Sequence, residues 1–223
     1  MIQNEIAENL IRIKNSLPDG VELIAVSKTK PVEDIRVAYN AGQRDFGENR
    51  IQEMAEKFEV LPNDIRWHMI GHVQGNKMKY MAPFVYMVHG MDKEKRFKEL
   101  NKEAQKNNRV INCLVQIHIA KEESKFGFSF DEANAFLAKD LKEIYPNLNV
   151  CGLMGMATNT SDSEQVKREF GALNDFFLMS KKKSPSIHFN ILSMGMSGDY
   201  PLAIEQGSNR VRIGSSIFGT RNQ

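Results

Sequence analysis

Short apolar runs alternate with amphipathic helical patterns along almost the whole chain, and this alternation limits the folds open to it. Repeats of strand and helix are the pattern of βα units, which build a parallel sheet. We predict eight strands, at residues 22–27, 44–47, 66–71, 84–89, 110–119, 150–154, 187–192 and 210–213. Eight parallel strands close into a barrel whose interior side chains can fill. The sequence therefore predicts an α/β fold, a (β/α)8 TIM-like barrel.

One additional helix precedes the first predicted strand. Its apolar residues recur every three or four positions up to Leu17, and Pro18 and Gly20 then end the pattern. The 223 residues fit one large domain, and no linker or low-complexity tract divides them. We therefore expect a single domain over residues 1–223, with residues 1–17 forming the N-terminal helix.

Several helix ends have recognisable signals. Pro31 suits a first helical turn, and Gly42 suits the end of the same helix. Two starts have the spacing of a capping box, in which a serine and a glutamate three residues later satisfy each other's backbone N–H groups. These pairs are Ser129 with Glu132 and Ser161 with Glu164.

Composition argues against several classes of function. The chain has 30 basic and 28 acidic residues, a net charge of +2, which is too small to indicate a nucleic-acid partner or an anionic membrane. No stretch approaches the roughly 20 apolar residues that span a bilayer, and Glu5 and Glu8 interrupt any secretory signal. Cys113 and Cys151 lie in separate apolar surroundings, as reduced core thiols do. We expect a cytoplasmic protein without membrane contact.

Two histidines four residues apart raise the question of a metal. His68 and His72 fall on a strand and the turn after it, where that spacing does not place them on one helical face. We expect no metal site, a core position for His68 and a site or loop position for His72.

Lys28 ends the first predicted strand, in the stretch IAVSKTKP. Barrels of this class place their chemistry at the carboxyl ends of the strands, and an apolar floor there lowers the pKa of an amine. Such a lysine is either a nucleophile that forms a Schiff base or an ordinary solvated lysine. Position alone does not decide between them.

Glycine-rich and serine-rich loops follow predicted strands seven and eight. Ser193 and Ser197 fall in the first loop, and Gly214 and Ser215 fall in the second. In this fold these two loops often bind phosphate, because their backbone N–H groups and hydroxyls can cradle a dianion. A helix that begins near Gly198 would add its positive end. The alternative is a pair of ordinary turns.

Two arginines on predicted strand eight are further candidate site residues. Arg210 and Arg212 share one face of strand eight, so at least one of them is expected to point toward the barrel mouth. A nucleophilic lysine, a phosphate cradle and an arginine between them match the needs of pyridoxal 5′-phosphate (PLP), which requires a Schiff base, a phosphate anchor and a partner for its ring nitrogen.

Five ordered motifs closely resemble the pyridoxal phosphate homeostasis proteins of the YggS/PROSC type. They are AVSKTKP at 25–31, FGENRIQE at 46–53, WHMIG at 67–71, LSMGMS at 192–197 and VRIGSSIFG at 211–219. The resemblance spans nearly the whole chain, and five motifs in one order are far more specific than a single short pattern.

The resemblance implies a barrel like the N-terminal domain of alanine racemase, with PLP bound covalently to Lys28. It places Asn49 beside the cofactor and Arg212 against the pyridine nitrogen. It also implies that Ser193 or Ser197, together with Gly214 and Ser215, binds the phosphate. The chain departs from the family at His72, where proline is common, and at His118, where asparagine is common.

This resemblance predicts a PLP-binding protein that buffers or delivers the cofactor in vitamin B6 homeostasis and is not an enzyme. An arginine against the ring nitrogen weakens the ring as an electron sink, which restrains transamination and decarboxylation and suits either racemisation or carriage of the cofactor. Alanine racemases take a tyrosine base from a second domain, and the lack of one here is expected to disfavour efficient racemisation. The alternatives are a low-activity PLP-dependent amino-acid racemase and a lysine aldolase. The expected partners are PLP and apo PLP-dependent enzymes as acceptors, with Lys30 or Lys125 as a possible second acceptor lysine, and the chain is expected to be a monomer or a weak dimer.

Overall fold

Eight parallel strands close into a barrel in strict chain order within the described residues, 2–122, 124–183 and 189–219 of a computed structural model. Each strand pairs with the next, and the last pairs with the first through Leu23 opposite Val211 and Ile24 opposite Arg212. The strands are β1 Glu22–Val26, β2 Asp45–Glu48, β3 Arg66–Met69, β4 Met87–Met91, β5 Ile111–Ile117, β6 Leu148–Gly155, β7 Ile191–Met196 and β8 Arg210–Ile213. The predicted (β/α)8 barrel is confirmed.

Helices surround this barrel. They are α1 Ile2–Ser16, α2 Val32–Asn40, α3 Ile51–Val60, α4 Met78–Met81, α5 Glu94–Lys106, α6 Phe130–Leu137, α7 Leu141–Ile144, α8 Ser163–Lys183, α9 Tyr200–Glu205 and α10 Ser215–Phe218, and a 3-10 turn at Gly75–Lys77 precedes α4. The predicted N-terminal helix is confirmed as α1, which buries Ile6, Leu10 and Ile13 and packs against α2 and α10. None of the described helices combines the length and hydropathy that crossing a bilayer requires.

The capping predictions have different outcomes. Ser129 and Glu132 form the predicted capping box at the start of α6. The prediction at Ser161 was wrong, because α8 begins at Ser163 and the side chain of Asp162 accepts the hydrogen bond from the Gln165 N–H at 3.0 Å. Asp162, one residue later, takes the role of N-cap residue in place of Ser161, and its negative charge is stabilising at a helix N-terminus.

Two strands begin three or four residues later than predicted, and most of the other strand boundaries differ by one or two residues. β4 begins at Met87 because the N–H groups of Phe84 and Val85 still bond to the carbonyl of Met81 in a turn. β7 runs over Ile191–Met196 and not over 187–192, and the predicted start at 187–188 lies outside the described residues. Serine and glycine made the second half of β7 resemble a loop in the sequence.

The polar and apolar parts of the core lie in different places. Large apolar side chains fill the layer between strands and helices, where Phe46, Trp67 and Phe170 are fully buried. Inside the barrel the apolar cluster is small, formed by Met87, Leu114, Cys151 and Met154. The remaining interior holds buried polar residues: His68, His89, Ser193, Arg210 and Arg212, whereas Ser27 and Glu48 are buried on the helix side of the strands, against Lys57. A protein interior bears such groups when they bond to one another or to a ligand.

Gly152 allows β6 to pass β7 without a clash. Its φ is +154°, and a Cβ built there would lie 1.8 Å from the carbonyl oxygen of Ile191. The pairing of β5 with β6 shifts register at the same place, between Cys113 and Leu114. This bulge therefore needs a residue without a side chain.

We predict that Gly152→Ala destabilises the fold by about 3 kcal/mol, because backbone atoms must move to admit the methyl group. The matched control is Gly171→Ala inside α8, where the new Cβ meets only the end of the Gln206 side chain at 3.1 Å. Alanine there should raise the free energy of unfolding by about 0.5–1 kcal/mol through helix propensity. Urea unfolding of both variants measures the change in the free energy of unfolding, which should fall for Gly152→Ala and rise for Gly171→Ala. Equal changes in the two variants would contradict the steric explanation.

Candidate functional site

A cavity of about 410 Å³ opens at the carboxyl end of the barrel. Parallel strands converge there, so the loops that follow them share one mouth. Six of the seven predicted site residues line it: Lys28, Asn49, Ser197, Arg212, Gly214 and Ser215. Ser193 does not reach the cavity. Its side chain is fully buried beneath Arg212, inside the barrel.

Lys28 follows β1 directly and precedes a strained residue. Thr29 has φ +64°, a left-handed backbone that is rare for a β-branched residue, and its N–H donates to Glu53 Oε1 at 2.5 Å. Such a conformation costs about 1–3 kcal/mol and persists only where surrounding contacts hold it. The chain therefore holds the Lys28 loop in a defined shape.

A buried ammonium group holds this loop from below. Lys57 Nζ donates to the carbonyl of Ser27 at 2.8 Å, to Glu48 Oε1 at 2.8 Å and to Glu53 Oε1 at 2.7 Å. Burial raises the pKa of Glu48 to about 6, although the Lys57 charge opposes the change. One lysine thus connects the end of β1 with β2 and α3 next to the Lys28 loop, a role that its surface-like sequence context did not indicate.

The loops after β7 and β8 meet at Ser197 and Gly214. The hydroxyl of Ser197 accepts the N–H of Gly214 at 3.1 Å, so its own O–H can still donate to a ligand. Gly214 lies against Val26 with room for little more than hydrogen, whereas a Cβ on Gly198 would meet open space. The expected helix near Gly198 begins at Tyr200, after Asp199 accepts the Met196 N–H at 2.5 Å. Backbone N–H groups and hydroxyls are the donors here.

Arg212 forms part of the cavity wall as a buried cation. Only 3% of the residue is exposed, Nη1 donates to Ser193 Oγ at 2.7 Å, and Nη2 donates to the carbonyl of Gly155 at 3.1 Å. Burial lowers its pKa to about 10, which leaves it charged at neutral pH. Within the described part of the chain no carboxylate touches it. Arg210, on the same face, instead pairs with Glu22 at the opposite end of the barrel.

Asn49 presents an unsatisfied oxygen. Its Oδ1 is buried and has no hydrogen-bond partner among the described residues. Gly71 packs so closely that a Cβ there would lie 2.5 Å from the Asn49 carbonyl oxygen. A buried unpaired polar atom costs about 1–3 kcal/mol, so a cavity-lining one indicates a position for a ligand donor.

The rim contains His72, for which a site or loop position was expected, and Gln116, which was not expected there. His72 stacks on Phe126 with ring centroids 3.9 Å apart, and its Nδ1 lies 2.9 Å from Asp92 Oδ2. Gln116 lines the cavity and donates to the Phe126 carbonyl at 2.9 Å. Gln116 had a signal in the sequence, as the one amide in the strand INCLVQI whose side chain faces the mouth. The side chain of His118 bonds the Glu122 carbonyl and does not line the cavity.

His68 occupies the core, as expected, and bonds to Asp45 and His89. No group of three or more His, Cys, Asp or Glu side chains is arranged for a metal ion anywhere in the described ranges. The cavity therefore offers an amine, a buried guanidinium, an orphaned amide oxygen and two N–H-rich loops. These groups fit a ligand that carries an aldehyde, a ring acceptor and a phosphate.

Residues 3–222 match the family model of the alanine racemase N-terminal domain. Among curated proteins, the chain is 41% identical over 210 residues to the pyridoxal phosphate homeostasis protein of Vibrio alginolyticus, covering 92% of this chain and 88% of that one. It is 36% identical over 233 residues to the protein of the same name in Escherichia coli, covering 98% of each.

Solved structures show the same relationship. PipY of Synechococcus elongatus with PLP bound superposes with a TM-score of 0.85 at 32% identity, covering 96% of this chain and 100% of that one. Alanine racemase of Enterococcus faecalis, at 15% identity and a TM-score of 0.74, shares the fold over 98% of this chain and 58% of its own. The matched length and the identity to these relatives establish that the chain belongs to the alanine racemase N-terminal domain family, in its branch of pyridoxal phosphate homeostasis proteins.

Proposed function

We propose that this chain binds PLP as a Schiff base on Lys28 and buffers or delivers it in vitamin B6 homeostasis. The observation that supports the proposal most strongly is the single cavity in which Lys28, Arg212 and the loops of Ser197 and Gly214 meet. PipY, 32% identical, has been solved with PLP bound, and the curated relatives are named for PLP homeostasis.

Each end of the cofactor has a group suited to it. The bound group supplies an aldehyde carbon that amines attack and a ring that withdraws electrons. The Lys28 amine condenses with the aldehyde, with loss of water. The N–H groups of Gly198 and Ser215 and the Ser197 hydroxyl hold the phosphate, and Gly214 positions Ser197 by donating its N–H to that hydroxyl oxygen.

Arg212 sets the chemical character of the site. A guanidinium only donates hydrogen bonds, so it keeps a facing pyridine nitrogen unprotonated and makes the ring a weak electron sink. Because its pKa of about 10 keeps it charged at neutral pH, this restraint does not lapse under physiological conditions. A carrier benefits from that restraint, since side reactions of the cofactor are suppressed.

One observation favours a second function, a weak amino-acid racemase. His72 lies on the rim with Asp92 beside it, and an imidazole paired with a carboxylate can move a proton. We expect carriage to dominate, because the relatives are named as homeostasis proteins.

Lys28→Ala should abolish covalent attachment. After incubation with PLP and borohydride reduction, intact-protein and peptide mass spectrometry of the wild type should place one pyridoxyl adduct on Lys28, and the variant should have none. Lys125→Ala is the matched control, because Lys125 donates to the Ala157 carbonyl at 2.6 Å and does not line the cavity. An adduct on another lysine in the wild type would disprove the assignment.

Ser197→Ala should lower the affinity for PLP by about 10- to 100-fold, the range expected for the loss of one hydrogen bond to a charged group. Pyridoxal, which lacks the phosphate, should bind the variant and the wild type equally. Fluorescence or absorbance titration with both aldehydes measures the ratio. Equal losses for the two ligands would place the phosphate elsewhere.

Exchange of the Cα proton separates carriage from racemisation. We expect no incorporation of deuterium into alanine or the other common amino acids when the PLP-loaded protein is incubated in D₂O, as followed by NMR. Steady exchange that is lost in His72→Phe would support the racemase and the His72–Asp92 pair as its base.

A further inference from the structure

We infer that Asp45, His68, His89 and Ser193 form a one-way hydrogen-bond chain through the barrel interior that positions the guanidinium of Arg212. We call these four residues the axial chain. The inference rests on the proposed function only in naming what Arg212 faces, since the chain itself consists of contacts within the protein.

The axial chain begins at the amino-terminal end of the barrel. Arg66 Nε donates to Asp45 Oδ1 at 2.7 Å, and a second guanidinium nitrogen bonds the other carboxylate oxygen. His68 Nε2 lies 2.9 Å from the same Asp45 Oδ1. Burial alone raises the pKa of Asp45, but hydrogen bonds from Arg66 and His68 outweigh it and hold the pKa well below its usual range. Asp45 is therefore an ionised acceptor at this end.

The chain continues without a gap to the cavity wall. His68 Nδ1 lies 3.0 Å from His89 Nε2, and His89 Nδ1 lies 3.1 Å from Ser193 Oγ. Ser193 Oγ in turn accepts from Arg212 Nη1 at 2.7 Å. His68, His89 and Ser193 are fully buried. Bulk water does not reach them, so within the described residues they bond to one another.

The two ends determine the direction of every bond between them. Ionised Asp45 only accepts, so His68 must donate from Nε2; a neutral His68 then accepts at Nδ1. His89 donates to it from Nε2 and accepts at Nδ1, which makes Ser193 the donor there. Arg212 only donates, and Ser193 still has a lone pair to accept it. Each of these bonds has one donor and one acceptor, and all run from Arg212 toward Asp45.

A charged histidine would break this pattern. If His68 carried both protons, His89 would have to turn its Nδ1–H toward Ser193, and the buried serine hydroxyl would lose its acceptor. Burial also lowers the pKa of both rings. Four charged groups act on them: Asp45 raises the pKa of His68, whereas Arg66, Arg210 and Arg212 oppose charge on one ring or the other. The satisfied state has two neutral rings, each with its proton on Nε2.

This order has a consequence for the cavity. Ser193 cannot rotate its lone pair away from Arg212, because its own O–H is committed to His89. Together with the Gly155 carbonyl, it holds the guanidinium at two points, Nη1 and Nη2. A buried cation without a contacting carboxylate is thus oriented by a neutral chain that ends in the charge of Asp45. Arg212 reaches the cavity already oriented, and binding need not order it.

The first test is the protonation of the rings. In protein containing ¹⁵N-labelled histidine, without any ligand, long-range ¹H–¹⁵N NMR should show His68 and His89 as neutral Nε2–H tautomers at pH 7, with His68→Gln and His89→Phe used for assignment. A charged ring, or a proton on Nδ1 of either residue, overturns the one-way chain. This readout does not depend on PLP.

The second test measures the effect on the site. His89→Phe keeps a ring of similar size but removes the acceptor for Ser193, and we expect about tenfold weaker binding of PLP and of pyridoxal alike, because the lost contact concerns the ring and not the phosphate. The absorbance band of the bound cofactor should also shift. Ser193→Ala is a smaller change and should lower the affinities for PLP and for pyridoxal to the same extent. It replaces His89→Phe in this test if that variant fails to fold. His89→Asn, whose Oδ1 can replace Nδ1 as acceptor, should restore most of the affinity.

Leu114→Ala is the control for lost stability, because Leu114 is buried in the barrel interior and belongs to its apolar cluster, outside the axial chain. It should lower the melting temperature and leave both affinities and the spectrum unchanged. Wild-type affinities and spectrum in both His89→Phe and Ser193→Ala would overturn the positioning role. A wild-type protein that binds neither aldehyde would instead refute the proposed function, and the NMR test of the chain would still stand.

Discussion

The burial of the Arg212 guanidinium is the constraint on which the rest of the barrel interior depends. A cation in that position needs hydrogen-bond acceptors, and the chain supplies Ser193 Oγ and the Gly155 carbonyl instead of a contacting carboxylate. The contacting partners of this cation are therefore neutral, and the nearby Asp199 acts on the charge only at longer range. An acceptor on a bound ligand can then interact with it strongly, which connects the packing of the barrel to recognition of a ring nitrogen.

The loop that bears Lys28 is instead held by a buried cation with contacting carboxylates. Beneath the Lys28 loop, a buried ammonium of Lys57 is paired directly with Glu48 and Glu53 and also bonds the Ser27 carbonyl. The paired charges stabilise the left-handed Thr29 and hence the path of the chain through Lys28. The Lys28 loop is thus shaped by paired charges outside the cavity, whereas Arg212 presents a rigid cation in the cavity wall itself.

Much of this molecule follows from patterns that are local in the sequence. Alternating apolar runs and helical periods predicted the eight-stranded barrel and α1, and the motifs around Lys28, Asn49, Ser197, Arg212 and Gly214 predicted residues that line one cavity. Their roles toward PLP stay predictions. The misplaced elements were those whose local composition conflicted with their setting: β7 contains serine and glycine, and the cap of α8 moved to Asp162.

The sequence by itself determined the fold class, the family and the polar groups central to the cavity, because hydrophobic period and short motifs are properties of neighbouring residues. Tertiary structure decided what Ser193, His68, His89 and Lys57 do. Apart from Glu53, which lies one helical turn from Lys57, their partners lie 9 to 104 positions away along the chain. Only barrel closure brings those distant partners within hydrogen-bond distance. A buried polar side chain is defined by its partners, and those partners are not adjacent in sequence.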